Sequence, residues 1–192
     1  MKVDSLRKVT PRTGGEVKSN CHSHDASPAF PLFLRITMPN LKPGDPAPNF
    51  SGTLTDGTTV SLKDYAGRKL IMYFYPMDDT PGCTAQACSL RDANADIKAK
   101  GAAILGVSTQ DESSHQKFTA KYKLNFPLLA DTDRSVAKAY GTIGGGGLLS
   151  AAKAIIGMAD RVTFIIDVKG EIAHIIDSVD TKNHAEEVLA LL

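Results

Sequence analysis

The sequence is poor in cysteine, with only three among its 192 residues, too few for the disulfide framework of a secreted scaffold. It also lacks a charge imbalance, because 22 basic residues stand against 21 acidic ones and the basic residues form no block. This balance gives no reason to expect a nucleic-acid partner. No apolar run approaches the length of a membrane span, so we expect no membrane partner either. The length suits one domain of ordinary size with a real hydrophobic core.

The first 37 residues differ in composition from the rest of the chain. They are rich in Ser, Thr, Gly and Pro without a sustained period, so we expect disorder there and a folded domain over residues 38–192. The segment lacks the apolar core of a secretory signal, and we predict a cytoplasmic protein, with organelle targeting as the alternative. Cys21, His22 and His24 lie within four residues, but no fourth ligand is near, so they do not indicate a metal site.

An apolar run stands directly before a group of turn and capping residues. The run KLIMYFY (Lys69–Tyr75) is typical of a buried strand, and Pro76 ends it. Thr80 and Pro81 are then typical of a helix start, with Thr as the N-cap and Pro at the first helical position. We therefore predict one helix from about Thr80 to about Lys100.

A cysteine lies in the first turn of this predicted helix. Cys83, Ala87, Leu90 and Ile97 recur at steps of four, three and seven residues, which predicts one buried stripe. The N–H groups and the helix dipole at a first turn favour an anion, and a thiolate is the anion that Cys83 offers. The alternative is an inert buried thiol. The coincidence of strand end, cap, first-turn cysteine and a second cysteine at Cys88 favours the reactive one.

The remaining pattern alternates between strands and helices. Two runs of alternating polarity around Asp56 and Gly57 predict a β-hairpin. The later predicted elements are a strand at Ala102–Ser108, a helix at Glu112–Tyr122, a strand at Phe126–Asp131, a helix at Arg134–Tyr140, two strands paired around Lys169 and Gly170, and a helix at His184–Leu192. This order implies an α/β fold of the thioredoxin-like type, with a mixed central sheet, helices on both faces and an N-terminal β-hairpin.

The segment Gly144–Ala159 interrupts this pattern. Four consecutive glycines precede an apolar stretch in which only Lys153 is charged. One interpretation is a loop followed by a short helix that packs on the core. The other is a mobile flap over the active site or a surface for self-association.

The pattern Pro-x-x-x-Thr-x-x-Cys is present as Pro76, Thr80 and Cys83. Together with the strand order, the motif TPGCTAQACSLRD resembles the peroxiredoxins, specifically the bacterioferritin-comigratory or Q-type group. The segments GDPAPNF and GVS and the Asp-Gly hairpin match as well. The resemblance covers about Leu41 to Leu192, and the chain departs from it in the N-terminal extension and in the Gly-rich insert before Arg161.

The resemblance implies a thiol-dependent peroxidase that reduces hydrogen peroxide and organic hydroperoxides. Cys83 would become a sulfenic acid, Cys88 matches the resolving cysteine that forms an intramolecular disulfide with it, and thioredoxin would reduce that disulfide. Arg161 corresponds to the family's active-site arginine. Arg161, the Thr80 hydroxyl and the first-turn N–H groups would donate to the peroxide oxygens, and Pro76 would shield the pocket from water. We expect no metal or cofactor, and a monomer or weak homodimer.

A bond between Cys83 and Cys88 conflicts with a regular helix. Residues five apart have Cα atoms about 8.6 Å apart and point about 140° away from each other. A disulfide needs a Cα separation below about 7 Å, so the helix start must unwind to form it. The alternative function is a thioredoxin-like thiol-disulfide oxidoreductase, whose signature Cys-x-x-Cys has two intervening residues where this chain has four. A non-catalytic metal or interaction domain has less support, because no His stands near the cysteine motif in the sequence.

Overall fold

Residues 40–144, 152 and 155–192 are described by the structure, a computed structural model. The N-terminal extension predicted to be disordered, with Cys21, His22 and His24, lies outside the described residues, as does most of the Gly-rich segment. Among the described residues, no helix has the length and apolar character needed to cross a membrane.

Seven strands form one mixed sheet in the order β2-β1-β5-β4-β3-β6-β7. The strands are β1 (Ser51–Leu54), β2 (Thr59–Ser61), β3 (Lys69–Phe74), β4 (Ala102–Ser108), β5 (Leu128–Ala130), β6 (Val162–Ile166) and β7 (Ile172–Ile176). The central strands β3, β4 and β5 are parallel, whereas β1–β2, β1–β5, β3–β6 and β6–β7 pair antiparallel. The predicted hairpin is confirmed, and Gly57 in its turn has a φ of 81°.

Five helices are described, together with a short 3-10 helix at Leu62–Tyr65 that the pattern did not predict. They are α1 (Pro81–Asp92), α2 (Asn94–Ala99), α3 (Glu112–Tyr122), α4 (Ser135–Ala139) and α5 (His184–Leu191). Alternate residues of β3 face two hydrophobic cores. Helices α1, α2, α3 and α5 pack on one face, and α4 packs with the N-terminal hairpin on the other. The prediction of a mixed sheet with helices on both faces is confirmed.

The prediction of one helix reaching Lys100 is wrong, because the helix breaks at Ala93, whose φ and ψ are −92° and 4°. The buried Asn94 side chain explains the break. Its Nδ2 donates to the carbonyl and the Oδ1 of Asn125, at 3.0 and 2.7 Å. The side-chain amide of Asn125 in turn donates to the Arg91 carbonyl at 3.1 Å. A loop distant in the sequence therefore bonds a carbonyl that would accept from a backbone N–H in a continuous helix.

At position 106, in the middle of the sheet, only glycine fits without moving its neighbours. A Cβ added to Gly106 would lie 2.5 Å from Leu128 Cδ2 and 2.8 Å from the Tyr73 hydroxyl. The absent side chain lets the Tyr73 ring lie across β4 and stack on Tyr75, with centroids 5.4 Å apart. Tyr75 is the residue directly after β3, at the end of the strand from which the chain leads to Cys83.

Candidate active site

Cys83 lies in the first turn of α1, with Thr80 at the N-cap position and Pro81 first in the helix, as predicted. The first intrahelical bond runs from the Thr84 N–H to the Thr80 carbonyl at 2.8 Å, so the N–H groups of Gly82 and Cys83 precede the hydrogen-bonded ladder. The predicted stripe is confirmed: Cys83 is 1% exposed, and its partners in the stripe are equally buried. The sulfur therefore occupies a nearly closed position at the positive end of a helix dipole.

Arg161, which directly precedes β6, reaches this sulfur from the neighbouring antiparallel strand. Its Nη2 lies 3.3 Å from Cys83 Sγ. Its Nη1 donates to Oε1 of Gln86, a fully buried residue one turn after Cys83. Two bonds on two nitrogens fix the plane of the guanidinium. Sequence reasoning missed Gln86, although a polar residue three positions after a buried cysteine falls on the same helix face.

Thr80 and Pro76 both lie in the loop between β3 and α1. Thr80 occupies the N-cap position, but its hydroxyl does not cap the helix. Instead the hydroxyl donates to the Met77 carbonyl at 3.3 Å, so the predicted N-cap position is confirmed but carries no side-chain cap bond. The loop's tight return towards α1 places that carbonyl within the hydroxyl's reach. Pro76 is half-buried.

Cys88 lies on α1 beyond Cys83 and is half-buried, and both side chains are free thiols. Its sulfur has a cation of its own, because Arg91 Nη1 lies 3.4 Å from Cys88 Sγ. The two cysteines, five residues apart within one regular helix, point to different sides of it, as the helix geometry requires. Arg161 therefore contacts the sulfur of Cys83, and Arg91 contacts the sulfur of Cys88.

A buried polar cluster supports the loop that leads to Cys83. Asp78 is only 8% exposed and accepts hydrogen bonds from Tyr75 at 2.8 Å and from Ser114 at 2.6 Å. His115 Nδ1 lies 2.8 Å from Asp78 Oδ2, and His115 Nε2 lies 3.2 Å from the Leu129 carbonyl. The imidazole therefore bridges the loop before α1 and strand β5.

The cluster keeps Asp78 ionised. Burial alone would raise the pKa of Asp78, but the hydrogen bonds and charge of His115 and the bonds from Ser114 and Tyr75 outweigh it and lower that pKa. No local pattern in residues 77–79 indicates that Asp78 is buried. Its partner His115 is 37 residues away in the sequence, and nothing local pairs them.

A second tie between the same loop and α3 lies at the surface. Asp79 has a φ of 58°, uncommon for a residue with a side chain. Its carboxylate accepts from Lys121 at 2.6 and 2.8 Å and from the Tyr122 hydroxyl. The chain before α1 is thus attached to α3 through Asp78 inside and Asp79 outside.

A second buried histidine lies near Arg161. His184 Nε2 is 3.0 Å from the Thr163 hydroxyl, and its Nδ1 is 2.9 Å from Glu187 Oε2. Burial lowers the pKa of His184, and the positive charge of Arg161 lowers it further, against the opposing effect of Glu187. A neutral ring that donates to Glu187 and accepts from Thr163 satisfies this geometry.

The structure brings Arg161 to Cys83 and places Thr80 at the N-cap position of the same helix, with Pro76 in the preceding loop. It does not bring Cys88 to Cys83, because α1 is intact in this thiol form. Among the described residues, no group of three or more His, Cys, Asp or Glu side chains forms a candidate metal site.

The chain is similar to known proteins of one family. Residues 43–175 match the model of the AhpC/TSA family. The chain is 41% identical over 152 residues to peroxiredoxin Bcp of Escherichia coli strain K12, which covers 79% of this chain and 96% of that protein.

Solved structures of two related proteins are also similar to this chain. A cysteine-to-serine mutant of PrxQ from Xylella fastidiosa superposes with a TM-score of 0.71 at 30% identity, covering 79% of this chain and 95% of that one. The bacterioferritin comigratory protein of Xanthomonas campestris, solved in a study of its alkyl peroxide reduction activity, superposes with a TM-score of 0.66 at 31% identity, covering 73% and 88%.

Asp78→Asn should destabilise the protein at pH 7 by about 2 kcal/mol, because it leaves His115 facing an amide in a buried site. Because the pKa of Asp78 is lower in the folded than in the unfolded protein, its carboxylate stabilises the fold at pH values above the unfolded pKa of about 3.8. This stabilisation is lost as the pH falls through the lower pKa of the folded protein. The loss of unfolding free energy should therefore be full at pH 7 and shrink below about pH 3.8. Urea denaturation across this range measures it.

Asp79→Asn is the matched control, since it neutralises an exposed carboxylate in the same loop and Asn tolerates the left-handed backbone. It should cost much less at pH 7. A loss at Asp78→Asn that does not vary with pH would show that shape, not charge, holds this loop.

Proposed function

Because the chain belongs to the AhpC/TSA family and is a thiol peroxidase of the bacterioferritin-comigratory or Q-type group, we propose that Cys83 is the thiol that attacks the peroxide. One observation carries this assignment. The guanidinium of Arg161 lies 3.3 Å from the Cys83 sulfur at the open first turn of α1. In the described residues, no other thiol combines a helix N-terminus with a cation held by a second bond.

The proposed reaction begins with attack of the Cys83 thiolate on one peroxide oxygen. A sulfur–oxygen bond forms and the oxygen–oxygen bond breaks, which leaves a sulfenic acid and releases water or an alcohol once the departing oxygen takes a proton. Lowering a thiol pKa from about 8.5 to about 6 raises its thiolate fraction at pH 7 only about thirtyfold. The larger contribution should come from donors to the departing oxygen, namely Arg161 and the N–H groups of Gly82 and Cys83.

Two further residues have proposed supporting roles. The Thr80 hydroxyl can rotate from the Met77 carbonyl towards a peroxide oxygen, because only one single bond must turn. Pro76 would limit the access of water to the sulfur, which strengthens every charge interaction there.

The second half of the cycle consumes the sulfenic acid. We propose that Cys88 attacks it, forming an intramolecular disulfide and releasing water. Because the two sulfurs lie on different sides of α1, the start of that helix must unwind first. A thiol reductant then regenerates both cysteines, and we propose thioredoxin for this step.

The substrates we propose are hydrogen peroxide and organic hydroperoxides. The Xanthomonas campestris relative was studied for alkyl peroxide reduction, and Met77 exposes an apolar side chain in the loop before Cys83. Since both cysteines belong to one helix, no second chain is needed to complete the cycle, which favours a monomer or weak homodimer. Two thiols that must be reduced in each cycle suit the cytoplasm.

A thioredoxin-like disulfide oxidoreductase is not favoured. In that chemistry two sulfurs meet across Cys-x-x-Cys without unwinding, whereas four residues separate Cys83 from Cys88.

Cys83→Ser should abolish peroxide-dependent NADPH oxidation in an assay with thioredoxin and its reductase, because serine offers no accessible anion at neutral pH. Cys88→Ser should still consume one equivalent of peroxide and then stop with an unresolved sulfenic acid on Cys83. Substantial turnover by Cys83→Ser would remove Cys83 from the attacking role. Disulfide reduction of insulin by the wild type, without peroxide consumption, would support the alternative class.

Arg161→Ala should lower the second-order rate constant of Cys83 oxidation by about thirtyfold or more, which is at least about 2 kcal/mol of transition-state stabilisation. Arg68→Ala is the control, because it removes an exposed arginine just before β3, at the opposite end of that strand. Stopped-flow competition for hydrogen peroxide measures both. A rate for Arg161→Ala within threefold of the wild type would contradict the assignment.

Oxidation should open the start of α1. We expect backbone amides from about Thr80 to Leu90 to exchange faster in the disulfide form and to regain protection on reduction, because the bond cannot span an intact helix. Hydrogen-exchange mass spectrometry on both redox states, with mapping of the disulfide on the same samples, tests this. A Cys83–Cys88 bond without a change in exchange would show that the helix adapts by another route.

A further inference from the structure

Arg91 makes a contact that the peroxide step does not use. It stands three residues after Cys88 on α1, on the same helix face, and its Nη1 lies 3.4 Å from Cys88 Sγ. The same nitrogen donates to the Tyr122 carbonyl at 2.6 Å, while Nε and Nη2 both lie 2.8 Å from Asp92 Oδ1. The side chain is 27% exposed, so this cation is held on three sides and partly shielded from water.

We propose that Arg91 is a catalytic residue of the resolving step, in which its guanidinium stabilises the thiolate of Cys88 for attack on the oxidised Cys83. This inference rests on the proposed function. The Cys88 thiolate attacks the sulfur of the Cys83 sulfenic acid, the sulfur–sulfur bond forms, and the sulfur–oxygen bond breaks. The hydroxide that leaves takes a proton and becomes water. The oxidising equivalent is the sulfenic acid that the peroxide step supplies.

The position of the cation agrees with this role. Tyr122 ends α3, and α3 is attached to the sheet by His115, whose Nε2 lies 3.2 Å from the Leu129 carbonyl of β5, and by the buried Phe118. Arg91 is thus bonded to an element outside the helix start that must unwind. When the first turns of α1 open, the guanidinium can keep its bond to the Tyr122 carbonyl, and Cys88 is joined to that fixed point by only three residues of chain.

The chemistry sets a size and a sign for the effect. When a cation lowers the pKa of a thiol by one unit, the thiolate fraction below that pKa rises tenfold and the nucleophilicity falls about threefold, a net gain of about threefold. Above the pKa every molecule is already a thiolate, so only the loss of nucleophilicity remains. A cation that acts in this way therefore helps at neutral pH and slows the attack at high pH.

Two other roles would use the same contacts. Arg91 could act only as a tie between α1 and α3, in which case its loss would slow disulfide formation equally at all pH values. It could instead hold Cys88 inside the folded helix, in which case its loss would speed disulfide formation at neutral pH. The pH dependence separates all three.

The test compares wild type with Arg91→Gln and Arg91→Lys. Lys98→Gln is the matched control, because it removes an exposed cation from the adjoining helix α2. Reduced protein is mixed with hydrogen peroxide between pH 6 and 9.5, quenched in acid, alkylated and analysed by mass spectrometry. The decay of the sulfenic acid into disulfide gives the rate of the resolving step, independently of how fast Cys83 was oxidised.

We expect Arg91→Gln to form the disulfide about threefold more slowly at pH 7 and to equal or exceed the wild type by about pH 9.5. Arg91→Lys should lie between the two, and Lys98→Gln should follow the wild type. At pH 7 with excess peroxide, Arg91→Gln should also accumulate more sulfinic acid on Cys83, because the sulfenic acid lasts longer.

Three results would overturn the proposal: rates for Arg91→Gln equal to the wild type throughout, a deficit that is constant with pH, or faster disulfide formation at pH 7. The wild-type samples test the underlying function separately. If Cys83 in them forms no sulfenic acid, or pairs with a thiol other than Cys88, the proposed function fails and the role of Arg91 fails with it.

Discussion

The contact between the Arg161 guanidinium and the Cys83 sulfur depends on two elements that meet where β3 ends. Cys83 and Gln86 come from successive turns of α1, the helix that follows β3, and Arg161 is the residue directly before β6. The antiparallel pairing of β3 with β6 brings the end of one strand next to the start of the other. A charge on a sulfur that is 1% exposed needs this arrangement, because water cannot stabilise it.

The same helix must be stable in one half of the cycle and open in the other. Two contacts with other helices hold α1 in place. Arg91 donates to the Tyr122 carbonyl at the end of α3, and the Ser89 hydroxyl accepts from the Ala185 N–H in the first turn of α5 at 3.0 Å. These contacts lie in the later part of α1, whereas the start of the helix has no side-chain cap and is held through the Arg161 contacts to Gln86 and to the Cys83 sulfur. The first-turn N–H groups therefore have no side-chain cap at the end where Cys83 must become accessible.

The sequence predicted most of the strands and helices and the sulfur at the first turn, since these depend on hydrophobic periodicity and on capping residues near each other in the chain. It did not predict features that join distant segments. The break at Ala93 depends on Asn94 bonding to Asn125, and the burial of Asp78 depends on His115. The Thr80 hydroxyl satisfies a loop carbonyl because of the way the loop folds back. None of these partners is visible in a local pattern.

The glycine at position 106 extends the influence of the site into the middle of the sheet. Any side chain there would have to displace both Tyr73 and Leu128. Tyr73 stacks on Tyr75, and the Tyr75 hydroxyl holds Asp78. Sequence change at these positions is therefore not independent, because a larger residue at 106 requires both Tyr73 and Leu128 to move or to become smaller. The residue at position 106 in β4 is in this way connected, through Tyr73 and Tyr75, to the loop that leads to Cys83.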